Sequence, residues 1–173
     1  MYHMTSTSKT PTANGYNEAY KLKGLSSLRL NRFTYSGGFD EIHATGEDRL
    51  FIVEKGTGFV TTLGKTHELH MGSVLEVPKS QSVSLSSAQI IFYVVSAPSG
   101  QITLSSFSYS GGFQNIETST QDRLFIVENG TGFVQIGSKT LEIKESSVLE
   151  IPAGETISLS SASISFHVAT ATS

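Results

Sequence analysis

The sequence predicts an all-β chain made of two tandem copies of one small barrel. Three observations lead there. One stretch of text occurs twice at a constant offset. Runs of β-branched and aromatic residues have strand length, and several alternate with period two. No window carries an apolar stripe at helical spacing.

The repeat sets the organisation. Asp48-Arg49-Leu50-Phe51-Ile52-Val53-Glu54 returns as Asp122-Arg123-Leu124-Phe125-Ile126-Val127-Glu128. Tyr35-Ser36-Gly37-Gly38-Phe39 returns as Tyr109-Ser110-Gly111-Gly112-Phe113, and Gly56 to Val60 returns as Gly130 to Val134. Placing residues 25–98 on 99–172 gives 37 identities in 74 ungapped pairs. That is the mark of a tandem duplication. The period exceeds that of solenoid repeats, so each copy is expected to be a domain. The expected units are a flexible N-terminal segment 1–24, a first barrel 25–98 and a second barrel 99–173. Met4 to Asn14 is rich in Ser, Thr, Lys, Pro and Gly and has no apolar period, so it reads as mobile. Tyr16, Tyr20 and Leu22 are apolar enough to dock on the barrel.

Within each copy the elements follow in order. Leu28 and Leu30 alternate in a first strand. Phe51-Ile52-Val53 and Ile90 to Val95 are strand-length runs, and Val83 and Leu85 share one face, as Ile157 and Leu159 do in copy two. Turn signals fall at Gly37-Gly38, Lys55-Gly56, Leu63-Gly64 and Pro78-Lys79. Copy two has them at Gly111-Gly112, Asn129-Gly130 and Pro152-Ala153-Gly154. Asn-Gly suits a tight hairpin turn. Seven or eight short strands per copy imply a small closed sandwich or barrel. At this size one copy has few interior positions, and mutual burial of the two as an internal pseudo-dimer is expected to help.

Composition limits the function. Of 173 residues, 12 are Lys or Arg and 15 are Asp or Glu, for a net charge of −3, while Ser and Thr number 27 and 18. Such a surface lacks the cationic excess that nucleic acid needs. Cys is absent, which removes thiolate chemistry and Cys-held zinc. No apolar run reaches the ~18–20 residues of a membrane span, and Met1 to Thr12 has no signal-peptide core. The expectation is a cytoplasmic protein with no membrane or nucleic-acid partner.

Leu50-Phe51-Ile52-Val53 followed by Glu54-Lys55-Gly56-Thr57-Gly58-Phe59-Val60 resembles the strand–"EGxG"–strand hairpin of the cupins, the double-stranded jelly-roll barrels. Gly72 and Pro78 resemble the start of that family's second motif. In copy two Ser146 stands for the Gly, and Pro152-Ala153-Gly154 keeps its "PxG". Within the cupins, Ser147 onward is similar to the closing strands of the C-terminal barrel of type I mannose-6-phosphate isomerases. The resemblance implies a jelly roll in each copy. In metal-bearing cupins it also implies an H-x-H pair, a Glu and a late His. On this chain the Glu position falls on Arg49 and Arg123. The late His falls on Val83 and Ile157. The H-x-H region falls on Ile42 to Thr45 and Ile116 to Ser119. A cation repels a metal, and Val or Ile has no lone pair to give. A slid register offers Glu41, His43 and Glu47, where copy two has Asn115, Glu117 and Gln121. No metal or other cofactor is expected. The isomerase's zinc ligands lie in a part of that enzyme with no counterpart here.

Candidate site residues come in pairs. Arg49 and Arg123 share a strand face with Phe51/Val53 and Phe125/Val127. A guanidinium in an apolar cup is costly unless partnered, and it is suited to clamp a carboxylate, a phosphate or sugar hydroxyls. The competing reading is an internal pair with Glu76/Glu150 or Glu54/Glu128, or a surface pair with Asp48/Asp122. Tyr35, Phe39, Tyr109 and Phe113 flank the Gly-Gly signals, placed either to stack on a sugar or to cap a barrel end. His67 and His70 sit three apart on a strand, so they diverge and read as solvated. His167 aligns with Tyr93 and reads as an amphipathic strand residue. No Ser-His-Asp set repeats.

The function expected is that of a non-catalytic, metal-free double barrel that binds a small polar ligand, a sugar or sugar phosphate, through Arg49 or Arg123, or that binds a protein. Two alternatives stand beside it. One is an enzyme, either sugar-phosphate isomerase-like or a metal-dependent cupin centred on His43. The other is a purely structural interaction protein. Further homo-oligomerisation is left open.

Overall fold

The computed structural model describes residues 2–4, 8–20, 22, 25, 27–98 and 100–172. The all-β expectation holds: the described residues form thirteen strands and no helix. Accordingly, among them no helix is long and apolar enough to cross a membrane. The chain divides into two compact units. The first contains Ser6–Lys21 and Leu28–Ile102; the second contains Met1–Thr5, Leu22–Ser27 and Thr103–Ser173.

The first unit is one antiparallel sheet. Its strands are β2 (Ser8–Thr12), β3 (Gly15–Tyr20), β4 (Arg29–Ile42), β5 (Asp48–Thr62), β6 (Lys65–Leu69), β7 (Val74–Val77) and β8 (Val83–Ala97). Their order is β2-β3-β4-β8-β5-β6, with β7 also on β5. The second unit uses β1 (Tyr2–Met4), β9 (Gln101–Ile116), β10 (Arg123–Ile136), β11 (Lys139–Ile143), β12 (Val148–Ile151) and β13 (Ile157–Thr172). Their order is β1-β12-β10-β13-β9, with β11 also on β10.

The long strands replace the many short ones expected, and bulges explain the difference. Lys55-Gly56 and Asn129-Gly130 are not hairpin turns. They lie inside β5 and β10, at register shifts between Val53/Lys55 and Val127/Asn129. Gly56 and Gly130 have φ of 89° and 92° there. A bulge adds a residue to one strand and bends it, so the inward face changes parity. On β5, Phe51 and Val53 point inward before the bulge and Val60 after it. On β8, Val83 and Leu85 precede a shift and Ile90, Phe92 and Val94 follow it. All eight join one buried core. The second unit repeats this with Phe125 and Val127, then Val134, on β10. Gly37-Gly38 and Gly111-Gly112 also lie within strands, and β4 shifts register on both sides of Gly37. Leu63-Gly64 and Pro78-Lys79 turn the chain as expected.

The N-terminal segment is corrected as well. Residues 8–20 form the hairpin β2–β3, and β3 pairs with β4 from Gly15↔Tyr35 to Tyr20↔Leu30. Arg32 on β4 anchors it, donating from NH1 to Glu18 at 3.0 Å while Nε and NH2 grip Glu54 at 2.6 and 3.2 Å. These carboxylates hold the guanidinium above its usual pKa, against the opposing effect of burial. β1 pairs with β12, Tyr2↔Glu150 to Met4↔Val148.

Candidate functional site

Three strands of the first unit set side chains in rows, because directly opposed residues share a face. Arg29 on β4 opposes Ser96 on β8, which opposes Arg49 on β5. The next row is Asn31, Val94 and Phe51; then come Phe33, Phe92 and Val53. A cavity of about 740 Å³ opens over these rows and reaches Tyr35, Asp40 and the hairpin tip at Asn14. Its floor is aromatic: Phe92 stacks on Phe33 and on Phe51, with centroids 5.5 and 5.4 Å apart.

Arg49 stands at one end, only 8% exposed. One nitrogen, NH2, donates to the carbonyl of Gln81 at 3.1 Å, and Nε is buried without a partner. The guanidinium lies over the Phe51 ring. Burial pushes its pKa below the ordinary arginine value, yet arginine stays charged in proteins. Ser96, also buried, lines the cavity beside it. Arg29 is turned to Glu47, NH1 to Oε1 at 2.8 Å.

The expected counter-ions are elsewhere. Among the described residues no carboxylate lies within ion-pair distance of Arg49. Glu76 opposes Leu50, one step off Arg49's register, so it belongs to the other face and is exposed. Glu150 likewise opposes Leu124 and is fully buried on the face away from Arg123. Glu54 is taken by Arg32. Asp48 and Asp122 accept from the backbone N–H of Lys79 and Ala153 at 2.8 and 2.9 Å, fastening the proline turns.

At the other end, the Tyr35 hydroxyl donates to Asp40 Oδ2 at 2.5 Å, and the Leu85 carbonyl is within 2.7 Å of the same hydroxyl. Asn14 Nδ2 donates to Asp40 Oδ2 at 2.8 Å. Desolvation, with the bond to Asp40 second, pushes the Tyr35 phenol up to about 12. Phe39, expected beside Tyr35, is 51% exposed, outside the cavity lining.

In the second unit Arg123 lies over Phe125, its NH1 donating to the Glu117 carbonyl at 3.2 Å and its Nε again unpartnered. Thr103, Gln114 and Gln121 stand where the first copy has Arg29, Asp40 and Glu47. The Tyr109 hydroxyl turns to the Gly112 carbonyl, and Phe113 is 52% exposed.

The metal ligands of the cupin resemblance do not fit here. The carboxylate position holds Arg49, and Val83 is part of the packed core. The slid register fails as well. The His43 side chain is 84% exposed with Glu41 at 3.7 Å, while Glu47 is bound to Arg29. Among the described residues no three His, Asp or Glu side chains are placed to hold an ion.

Sequence reasoning missed Arg29, Ser96, Asp40 and Asn14. Arg29, Asn31, Phe33 and Tyr35 do alternate on β4, but their mixed polarity gave no apolar face to read. Asn14 ends a polar stretch that has no apolar period to read. His167 is also corrected. It is 5% exposed, neither ring nitrogen has a hydrogen bond, and Glu128 Oε2 is 3.4 Å from Nε2.

The bulged antiparallel sheets, each with an inward apolar face, form a jelly-roll type of all-β fold. No protein-family model and no curated protein matches the chain in sequence. In structure it is similar to a cupin 2 conserved barrel domain protein from Leptotrichia buccalis (TM-score 0.70, 12% identity, 97% of this chain and 98% of that one). It is also similar to an 11S globulin from Wrightia tinctoria with an auxin binding site (0.82, 8%, 98% and 82%). A third similar structure is an oxalate decarboxylase (0.78, 9%, 98% and 77%). At these identities the likeness establishes the fold.

Proposed function

We propose that the chain is a non-catalytic small-molecule binding module, built from two copies of one jelly-roll module, whose site is the metal-free cavity of the first unit. The ligand is a sugar or sugar phosphate, its hydroxyls or its phosphate held by Arg49. One observation carries this: Arg49 is buried at the cavity end with Nε unpartnered, and among the described residues no carboxylate is within ion-pair distance of it. An uncompensated buried cation is costly, and a ligand anion supplies the missing charge-assisted bonds. Ser96 and Arg29, in the same row, add a hydroxyl and a second guanidinium. The flat aromatic floor offers a stacking surface for a sugar face. The enzymatic reading centred on His43 draws no support from the site, since His43 is outside the lining.

Calorimetry and thermal shift with hexose, hexose 6-phosphate and inorganic phosphate test the proposal. Ligand that binds only the folded state raises the melting temperature by mass action. The expected result is stabilisation by the phosphorylated probes, lost in Arg49→Ala and kept in Arg123→Ala. Unchanged affinity in Arg49→Ala would remove the site, and a stoichiometric transition metal in the purified protein would remove the metal-free reading.

A further inference from the structure

We propose that Asp40 is a second subsite of this cavity, at the end opposite Arg49, and that the ligand is therefore elongated: anionic at one end and hydroxyl-bearing at the other. This rests on the reading of Arg49 as an anion site, and it adds the ligand's length and polarity.

Asp40 is aimed by its neighbours. The Tyr35 hydroxyl and Asn14 Nδ2 both donate to Oδ2, at 2.5 and 2.8 Å. Among the described residues Oδ1 accepts no hydrogen bond. A carboxylate held through one oxygen leaves the other to take donors from a ligand, and hydroxyls bind strongly to ionised acceptors. The pair is built into the backbone. A Cβ at Gly37 would lie 2.4 Å from Asp40 Oδ2 and 2.8 Å from the Tyr35 hydroxyl, so the bulge glycine makes room for their bond. Asn14 is fixed in turn, its carbonyl accepting from Ser36 N at 2.9 Å.

The separation sets the ligand length. Arg49 donates to the Gln81 carbonyl, and the Tyr35 hydroxyl that holds Asp40 sits on the Leu85 carbonyl; four residues separate those two carbonyls, ~13 Å at ~3.3 Å per residue. Between the ends lie Phe33, Phe51 and Phe92. This arrangement suits a phosphorylated disaccharide better than a monosaccharide phosphate. The second unit is not built this way. Gln114 replaces Asp40, and the N-terminal hairpin pairs with β4 of the first unit. One ligand per chain is the consequence.

The experiment is calorimetry on the full chain with trehalose 6-phosphate and inorganic phosphate as probes. Wild type is expected to bind trehalose 6-phosphate at one per chain and at least about tenfold more tightly than phosphate, the worth of one or two charge-assisted hydrogen bonds. Asp40→Ala should cancel that advantage and leave phosphate affinity unchanged. Asp40→Asn, which keeps the side-chain shape, should reduce it in the same direction, and Arg49→Ala should weaken both probes. Wild-type affinity for trehalose 6-phosphate in both Asp40 variants would overturn the second subsite while the Arg49 site stands. So would two ligands per chain. Failure of wild type to bind either probe would overturn the anion site and this inference together.

Discussion

The guanidinium of Arg49 lies 5.5 Å from the centroid of the Phe51 ring. That contact screens one face of the cation with hydrocarbon and gives back only part of the lost hydration. Arg49→Met fills similar volume without the charge. It is expected to leave the fold unchanged or stabilise it by ~1–3 kcal/mol, while removing anion binding. Chemical denaturation and calorimetry read the two effects separately. A large loss of stability would mean that Arg49 serves the fold.

Gly56 carries the bend of β5. A Cβ there would lie 2.3 Å from the Gln89 carbonyl oxygen, at a φ of +89°. Gly56→Ala is therefore expected to cost ~2 kcal/mol or more. Gly38 has open space around it, and Gly38→Ala should shift stability by less than ~1 kcal/mol. Equal costs in urea unfolding would contradict the assignment of the bulge.

Burial lowers the His167 pKa, with Glu128 opposing from 3.4 Å. The unfolded chain then takes up a proton at a higher pH than the folded one. Stability contributed by the neutral imidazole is present above ~6.5 and is lost as the pH falls below it. Melting temperatures between pH 8 and 5 should fall with acidification, and less steeply in His167→Gln. Parallel curves would show that His167 is not the group responsible.

Tyr35 acts at the other end of the scale. Its pKa is raised above the unfolded value of 10.0 to about 12. Its contribution is complete below pH 10 and disappears as the pH rises through 12. Tyr20 is raised too, chiefly by burial. Spectrophotometric titration of Tyr35→Phe should lack one of the late-ionising tyrosines and show a shallower alkaline loss of stability. An unaltered late phase would assign it elsewhere.

The strand core was legible because alternation is local. Val83 and Leu85, like Ile157 and Leu159, share a face and are buried as their spacing requires. The bulges hid from the same logic. A glycine at positive φ looks identical in sequence whether it ends a strand or bends one, and only the partner strand decides. The hairpin β2–β3 was invisible for a related reason. Its stability comes from pairing with β4 and from Arg32 gripping Glu18, and a polar segment shows neither. Arg49 stands out in the sequence, because an arginine on an apolar strand face is conspicuous. Its neighbours did not stand out, since Ser96 opposes it across a ladder whose register no single strand reveals.

Strand β1 pairs with β12, so residues near one end of the chain complete a sheet whose other strands come from the far end. The first unit has all of its strands in hand once β8 has been synthesised. The second has to hold Tyr2–Met4 in reserve until Val148–Glu150 arrive, and closing so long a loop carries an entropic barrier. During translation the two units are therefore expected to mature in sequence, with β1 the last strand to find its place.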